Sequence, residues 1–137
     1  IHTYKVFVGK AWGNWSDNYL GGAYSDIIIA KPNDICTENF LESGSFNDFT
    51  TAQKHAKYLM TKFLRALLFL NKYSQDNSKE KFKDIPVQDY SEAWWKKSVK
   101  EIDIELMKKY KLSDTIKDFI MKNIQEKSEK NIVGYFD

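Results

Sequence analysis

The chain has few of the residues from which covalent and metal chemistry is built. Cys36 is the only cysteine among 137 residues, so no internal disulfide can form, and its apolar surroundings predict a buried thiol. His2 and His55 are the only histidines, which excludes a zinc site with the usual ligand count. The six glycines match neither the dinucleotide-binding nor the P-loop spacing. Nothing in the sequence assigns a base to a serine or cysteine nucleophile.

Long apolar runs and targeting segments are also absent. No stretch approaches the roughly 18 apolar residues that a membrane-spanning helix needs. No signal peptide is recognisable either. Together with the single cysteine, these features favour a cytoplasmic protein without a membrane partner. The chain opens on Ile1 directly before a strand, which predicts a fragment of a longer protein.

Arginine is nearly absent, whereas lysine and aromatic residues are abundant. Arg65 is the only arginine among 21 basic residues, and the formal net charge is +2, so the chain is not a polycation. Lysine acts as a point charge against phosphate but gives less planar, bidentate recognition than arginine. An AT-rich genome explains the lysine excess equally well. The aromatic content of 15% and the apolar content of 42% indicate one globular domain with a real core.

Hydrophobic periodicity predicts an α+β fold: a small β-sheet with one long amphipathic helix, followed by a C-terminal helical hairpin. The predicted strands are Tyr4–Val8, Ile27–Ala30 and Ile35–Leu41. The long helix is predicted from Thr50 or Thr51 to about Asn71, because Thr50 and Gln53 have capping-box spacing. We therefore expect an α+β part over residues 1–90 and a helical hairpin with a tail over residues 91–137, packed on it as one unit.

Two segments of the first part carry alternative interpretations. The polar side of the long helix bears Lys54, Lys57, Thr61, Lys62 and Arg65. Such a side is either simply solvated or follows a phosphate backbone, and no acidic residue interrupts it between residues 52 and 73. The loop over residues 9–25 mixes glycines with tryptophans and tyrosines. It forms either a surface loop with stacking or wedge-like tips or a lid folded back over the sheet.

The second part is predicted to form two helices joined by a short turn. Ser98 and Glu101 form a capping box for a helix that ends near Lys109, and Ser113 caps another that runs to about Lys127. The predicted inward residues are Val99, Ile102, Leu106 and Tyr110 on the first helix and Ile116, Phe119, Ile120 and Ile124 on the second. The hairpin is either a support for the α+β part or a helix-turn-helix reader, which its acidic residues disfavour. The last residues, 127–137, form a docked arm or a tail.

Several short pieces of the sequence occur in a distinctive order. They are a Tyr4–Phe7 strand followed by Lys10, Cys36–Glu38, Gly44–Phe46, a helix with Tyr58, Thr61–Phe63 and Arg65, then Gln75-Asp76, Pro86–Tyr90, and a closing helix, Glu101–Tyr110, before Leu112-Ser113. In this order, over roughly residues 3–124, the chain resembles the C-terminal target-recognition region of bacterial type II (type IIG-like) restriction–modification enzymes that carry an N6-adenine DNA methyltransferase. One departure is Ser45, where the resemblance leads us to expect a proline.

The resemblance implies a fragment that recognises DNA but performs no chemistry. The family's Asn/Asp-Pro-Pro-aromatic methylation motif is absent, and no acidic residue stands two positions before a lysine, as the common nuclease core requires. We therefore expect no enzymatic activity, catalytic residue, metal site or cofactor in this fragment. S-adenosylmethionine and Mg²⁺ are expected for the parent enzyme. The implied partners are double-stranded DNA and the methyltransferase/nuclease domain of the same parent chain.

The resemblance also implies which residues meet the DNA while the target adenine is flipped into the neighbouring catalytic pocket. The expected contacts to the DNA backbone come from Lys10, Thr61, Lys62 and Arg65, and those to bases from Asn14, Trp15, Asn18, Gln75 and Asn77. Asparagine and glutamine suit adenine in the major groove. Gln88 and Asp89 either contact DNA or form a hydrogen-bonded turn that orients the Pro86 segment. Lys5 and Glu38 are expected to pair on the exposed sheet face.

Two other functions remain open. A protein–protein docking module of a restriction–modification complex, using exposed aromatic residues and the helical hairpin, predicts an apolar patch and little salt dependence. DNA binding instead predicts that log affinity falls against log salt by roughly 0.9 per phosphate neutralised. A small-molecule or sugar site at the tryptophan-rich loop predicts an aromatic cleft without a basic rim.

Overall fold

The computed structural model describes residues 3–9, 27–34, 40–71 and 86–136, with backbone only at 69–71. It has the α+β class that the sequence predicts. The strands are β1 (Tyr4–Gly9), β2 (Ile27–Ala30), β3 (Phe40–Phe46) and β4 (Ile132–Val133). The helices are α1 (Phe49–Met60), α2 (Lys62–Asn71), α3 (Val99–Lys109) and α4 (Asp114–Asn123), with 3₁₀ turns at Ala93–Lys96 and Glu129–Asn131. No helix in these ranges is both long and apolar enough to cross a bilayer.

The sheet has the strand order β3-β1-β2-β4. β1 runs antiparallel to both β2 and β3, whereas β4 runs parallel to β2 and pairs Ile132 with Ile27. The β-branched residues of β1 and β2 fit this pleated and buried position, and Val6 and Val8 are fully buried. The docked-arm interpretation of the chain's last residues is therefore confirmed, because this segment supplies the fourth strand.

The third strand lies further along the chain than the sequence indicated. β3 continues through Ser43–Phe46, a stretch of turn-like composition beyond the predicted end at Leu41, whereas residues 35–39 lie outside the described ranges. A bulge explains the turn-like composition. Gly44 faces Val6 and Glu42 faces Phe7 on β1, so Ser43 is an extra residue in the ladder. Glu42 pairs with Lys5 at 3.8 Å between Nζ and Oε1, whereas Glu38, the predicted partner, lies outside the described ranges.

The predicted long helix is two helices. α1 ends at Met60 and α2 begins at Lys62, with Thr61 between them in an extended conformation (ψ 149°). The Thr61 hydroxyl donates to the Tyr58 carbonyl at 2.6 Å and accepts from the Leu64 N–H at 3.2 Å. The prediction of one continuous helix is wrong. The apolar stripe continues unchanged through residue 61, so the sequence pattern gives no sign of the break.

The start of α1 also differs from the prediction. Asp48 is the N-cap and accepts from the Thr51 N–H at 2.7 Å, so the Thr50–Gln53 capping box does not form. Gln53 instead donates to the Tyr135 carbonyl at 2.7 Å and ties α1 to the C-terminal arm. The N-cap therefore lies only two or three residues before the predicted start, but one of the two predicted cap residues, Gln53, makes a tertiary contact instead.

The C-terminal hairpin has the predicted caps but a shorter second helix. Ser98 and Glu101 form the capping box of α3, and Ser113 caps α4, which ends at Asn123 rather than near Lys127. Ile120 and Ile124 are buried, as predicted. Ile116 and Phe119, predicted to face inward, are 48% and 49% exposed, because α4 is buried mainly near its C-terminal end. Both α3 and α4 pack against α2, as expected for a support.

One hydrophobic core joins the two parts of the chain. Its fully buried side chains include Leu59 and Leu64 from the first part and Trp95, Ile102 and Leu106 from the second. Each such side chain contributes about 1.5–3 kcal/mol relative to exposure. The proposed division at residue 90 stays a prediction, since α1 and α2 share this core with α3 and α4.

Candidate functional site

Most of the predicted DNA contacts fall on segments that the structure does not describe. Six of the nine residues lie outside the described ranges: Lys10, Asn14, Trp15, Asn18, Gln75 and Asn77. The same holds for the Cys36 thiol and for residues 10–25 of the tryptophan-rich loop. The remaining three predicted contacts are Thr61, Lys62 and Arg65, whose placement is known.

These three side chains are buried, so their predicted position on a solvent-facing side of the helix is wrong. Thr61 and Arg65 are 0% exposed, and Lys62 is 8% exposed. The break at residue 61 brings them inside, next to α3 and α4. In the structure, they are not presented to a DNA backbone.

The basic side chains of the predicted polar face donate to backbone carbonyls of this chain. Arg65 donates from Nε to the Thr61 carbonyl at 3.2 Å and from Nη2 to the Met60 carbonyl at 3.1 Å. Lys62 Nζ donates to the Met121 carbonyl at 2.8 Å. The carbonyls of Met60 and Met121 are near the C-terminal ends of α1 and α4, where the last carbonyls have no partner within the helix, so these cations supply donors to them.

Two further lysines of that face act in the same way. Lys57 Nζ donates to the carbonyls of Trp95 at 2.6 Å and Lys97 at 3.0 Å, and burial lowers the pKa of its ammonium group. Lys54 Nζ donates to the Tyr90 carbonyl at 3.0 Å. The three lysines thus join α1 and α2 to the later part of the chain, whereas Thr61 and Arg65 donate to carbonyls at the junction of the two helices.

A buried carboxylate holds the start of α2. Asp103, on α3, accepts from the backbone N–H groups of Lys62 at 2.9 Å and Phe63 at 2.8 Å. Burial raises the pKa of Asp103 to about 6, against these two hydrogen bonds and the charges of Arg65 and Lys62, which lower it. The sequence analysis missed this residue. Its signal was an aspartate next to Ile102 on the inward side of an amphipathic helix.

Exposed lysines lie on the outer side of α3 instead. Lys100, Ile104 and Lys108 are all exposed. Each is four residues from the next, so they share one helix face. We call these three residues the lysine stripe. Its two ammonium-bearing residues are about 12 Å apart along the helix axis. Neighbouring lysines are paired: Lys97 with Glu105 at 3.1 Å and Lys109 with Glu92 at 3.4 Å.

A pocket of about 420 Å³ opens between β3, α1 and residues 86–90. The bulged Ser43 lies on its wall, and its Oγ is 2.8 Å from His55 Nε2. His55 Nδ1 is 2.6 Å from the Tyr90 hydroxyl, which completes a chain of three polar groups. We call Ser43, His55 and Tyr90 the relay. The relay was not predicted, because a β-bulge and a 12-residue separation bring its first two members together.

The relay is uncharged at neutral pH. Burial lowers the pKa of His55 to about 4, although a hydrogen bond to the backbone of Ser43 acts in the opposite direction. Burial and the neighbouring Tyr58 raise the pKa of Tyr90. The rings around the relay pack edge to face, with centroids 5.7 Å apart for His55 and Tyr90 and 4.8 Å apart for Tyr90 and Trp95.

Gln88 and Asp89 form the hydrogen-bonded turn that the sequence analysis gave as one alternative. Gln88 Nε2 donates to the Tyr110 hydroxyl at 2.9 Å and to the Tyr58 hydroxyl at 3.3 Å, and its Oε1 accepts from Lys109 at 3.1 Å. Asp89 accepts from both the N–H and the hydroxyl of Ser91. Residues 86–89 belong to no helix or strand, and the Tyr58 hydroxyl holds the Pro86 carbonyl at 2.9 Å.

Comparisons with models of known protein families, with curated proteins and with solved structures give no match to this chain. Among the residues that the structure describes, no group of three or more potential metal ligands comes together.

Proposed function

We propose that this chain is the DNA target-recognition fragment of a bacterial type II restriction–modification enzyme. It positions duplex DNA for an adenine methyltransferase/endonuclease located elsewhere in the parent, a cytoplasmic enzyme that uses S-adenosylmethionine and Mg²⁺. One observation carries the proposal. Pieces of sequence that together resemble this family, and that lie up to 41 residues apart, interlock through specific hydrogen bonds.

The interlocking pieces are the Thr61–Arg65 stretch, the Pro86–Tyr90 run and the closing helix. Asp103 of the closing helix caps the start of α2 at Lys62 and Phe63. Gln88 bridges Tyr58 on α1 to Tyr110 at the end of α3. Buried polar networks of this kind are costly unless every member is satisfied, so these residues specify one framework. In this proposal, the family-like residues therefore build the scaffold and the DNA contacts lie elsewhere.

We assign phosphate contacts to the lysine stripe on α3. Lys100 and Lys108 are exposed, as phosphate contacts require, whereas Lys62 and Arg65 are buried. Phosphate contacts fix register and orientation, and base contacts carry the sequence information. Base reading stays assigned to the loop residues Asn14, Trp15, Asn18, Gln75 and Asn77, with Lys10 beside them, all of which lie outside the described ranges.

The test is fluorescence anisotropy of a labelled mixed-sequence duplex with this chain at about 50 and 200 mM salt. Neutralising the two phosphates assigned to the lysine stripe contributes about −1.8 to the slope of log affinity against log salt, and hence an affinity weaker by about tenfold or more at the higher salt. An affinity that does not change with salt contradicts the proposal. So does the absence of binding when the upstream region of the parent is restored.

One observation favours the docking alternative. Ile116 and Phe119 leave about half of their apolar surface exposed on α4, and Val87 is almost fully exposed. Under this alternative, the exposed face of α4 docks the methyltransferase domain of the parent and reads no bases. Substituting Phe119→Ser would then weaken association with that domain and leave salt dependence unaffected. The DNA-recognition proposal predicts no effect of Phe119→Ser on duplex binding.

A further inference from the structure

We propose that the pocket beside the relay binds a single nucleobase that lies outside a base stack, with the Ser43 hydroxyl as its polar contact. The choice of a nucleobase as ligand rests on the proposed function. The site itself rests on the geometry of Ser43, His55 and Tyr90 and on the lining of the pocket. None of these residues belongs to the predicted DNA contacts.

The pocket has the size and the walls of a site for one flat ring system. Its volume of about 420 Å³ lies at the small end of the range for small-molecule sites, roughly 300–1,000 Å³. Phe46, His55, Tyr58 and Tyr90 line it, so rings are available for edge or face contacts with a planar ligand. Base–aromatic stacking contributes about 1–3 kcal/mol per base.

The pocket is uncharged, which selects against ionic ligands. Among the residues that the structure describes, the lining contains no lysine, arginine, aspartate or glutamate, and His55 is neutral at pH 7 because burial lowers its pKa to about 4. A phosphate or carboxylate placed there would lose its hydration without gaining a counter-charge. A nucleobase is neutral, flat and polar only along its edges.

The relay gives the pocket a polar contact that can donate or accept. With the proton on Nδ1, His55 donates to the Tyr90 hydroxyl and accepts from Ser43, so Ser43 Oγ offers lone pairs to a ligand. With the proton on Nε2, His55 donates to Ser43, and the Ser43 O–H is then available to a ligand acceptor. Base edges place donors and acceptors side by side, and a switchable hydroxyl meets either group.

The bulge at Ser43 creates this contact. An extra residue in a strand re-aims a side chain, and here it turns Ser43 toward α1 while Glu42 stays on the outer face. Gly44 keeps the adjacent wall open. A Cβ at position 44 would lie 2.7 Å from Phe46 Cζ and 3.4 Å from His55 Nε2, so the Phe46 ring would have to shift.

The test is NMR titration of the chain with adenosine and with thymidine, observing the ring nitrogens of His55. These resonances report which nitrogen carries the proton. We expect saturable shifts at His55 with a Kd of about 1 mM, and an affinity roughly five- to tenfold weaker in Ser43→Ala, the loss of one hydrogen bond. Thr115→Ala is the control, because it removes a hydroxyl from an exposed residue of α4 outside the pocket lining, and it should bind as the wild type does.

A second variant tests the relay without touching Ser43. Tyr90→Phe removes the hydrogen-bond partner of His55 Nδ1, so the distribution of the proton between the two ring nitrogens should change, and the nitrogen shifts should show this change before ligand is added. If the Ser43 hydroxyl had a purely structural role, the affinity for nucleoside would not change in both Ser43→Ala and Tyr90→Phe. Either the absence of His55 shifts at millimolar nucleoside or equal affinity in Ser43→Ala would overturn the proposal.

This experiment separates the pocket from the proposed function. Free nucleosides need no phosphate contacts, so Lys100→Ala with Lys108→Ala should leave their binding unchanged. If nucleosides bind and duplex DNA does not, the pocket stands and the proposed function falls. If duplex DNA binds with the expected salt dependence and nucleosides do not shift His55, the pocket proposal falls alone.

Discussion

At the scale of single residues, the chemical type of a side chain does not determine which group it contacts. Lysine and arginine on a polar helix face are suited to phosphate, and the sequence predicted that role for Lys62 and Arg65. In the fold, they donate to backbone carbonyls at helix ends. Periodicity cannot distinguish these uses, since both need a cation on the side of the helix away from its apolar stripe.

The role of Arg65 leads to a stability prediction. Arg65→Ala removes donors from the carbonyls of Met60 and Thr61 and leaves a space in the core, which should lower the free energy of unfolding by about 3 kcal/mol. Urea denaturation followed by circular dichroism measures it. Lys108→Ala, an exposed basic residue, is the control and should change stability by less than about 0.5 kcal/mol. Equal effects in the two variants would contradict a scaffold role for Arg65.

At the scale of elements, local signals were sufficient for some parts and not for others. Tyr4–Val8, Ile27–Ala30 and the serine caps of α3 and α4 follow from alternation and capping chemistry, which are properties of adjacent residues. The break at Thr61 depends on Asp103, some 40 residues away. The relay likewise needs the bulge in β3 to meet α1, so neither feature was readable from local pattern.

The break between α1 and α2 is itself testable. Thr61 Oγ1 accepts from the Leu64 N–H, as an N-cap does, so Thr61→Ala should destabilise the protein by about 1–2 kcal/mol. Thr61→Ser keeps the hydroxyl and should retain most of the stability. Thermal or urea unfolding of the two variants compares them. If Thr61→Ala were as stable as the wild type, the account of the break as a capped junction would be wrong.

At the scale of the whole molecule, two titratable groups on different elements, His55 and Asp103, have opposite effects on how stability changes with pH. The pKa of His55 is lowered from 6.5 to about 4, so its contribution to stability is present above pH 6.5 and is lost as the pH falls toward 4. The pKa of Asp103 is raised from 3.8 to about 6, so its contribution is present below pH 3.8 and is lost as the pH rises through 6. Between pH 4 and 6 the two slopes partly cancel.

Single substitutions should show how each group changes the slope of the unfolding free energy against pH. Relative to the wild type, His55→Gln should make the free energy of unfolding fall more steeply as pH rises from about 4 to 6, and Asp103→Asn should make it rise. Urea midpoints measured across this range for all three proteins provide the comparison. Surface carboxylates are common to them and drop out of the differences. The same pH profile in all three proteins would refute the assignment of both groups.

We propose that the residues shared with the resembled family build the scaffold and that the lysine stripe on α3 contacts DNA. The most direct measurement is the slope of log affinity against log salt for duplex DNA, comparing the wild type with a Lys100→Ala, Lys108→Ala double variant. Lys31→Ala, an exposed lysine that follows β2, is the matched control. The account predicts that the double variant reduces the slope by about 1.8, two phosphate contacts, and that the control changes nothing. An unchanged slope in the double variant would contradict it.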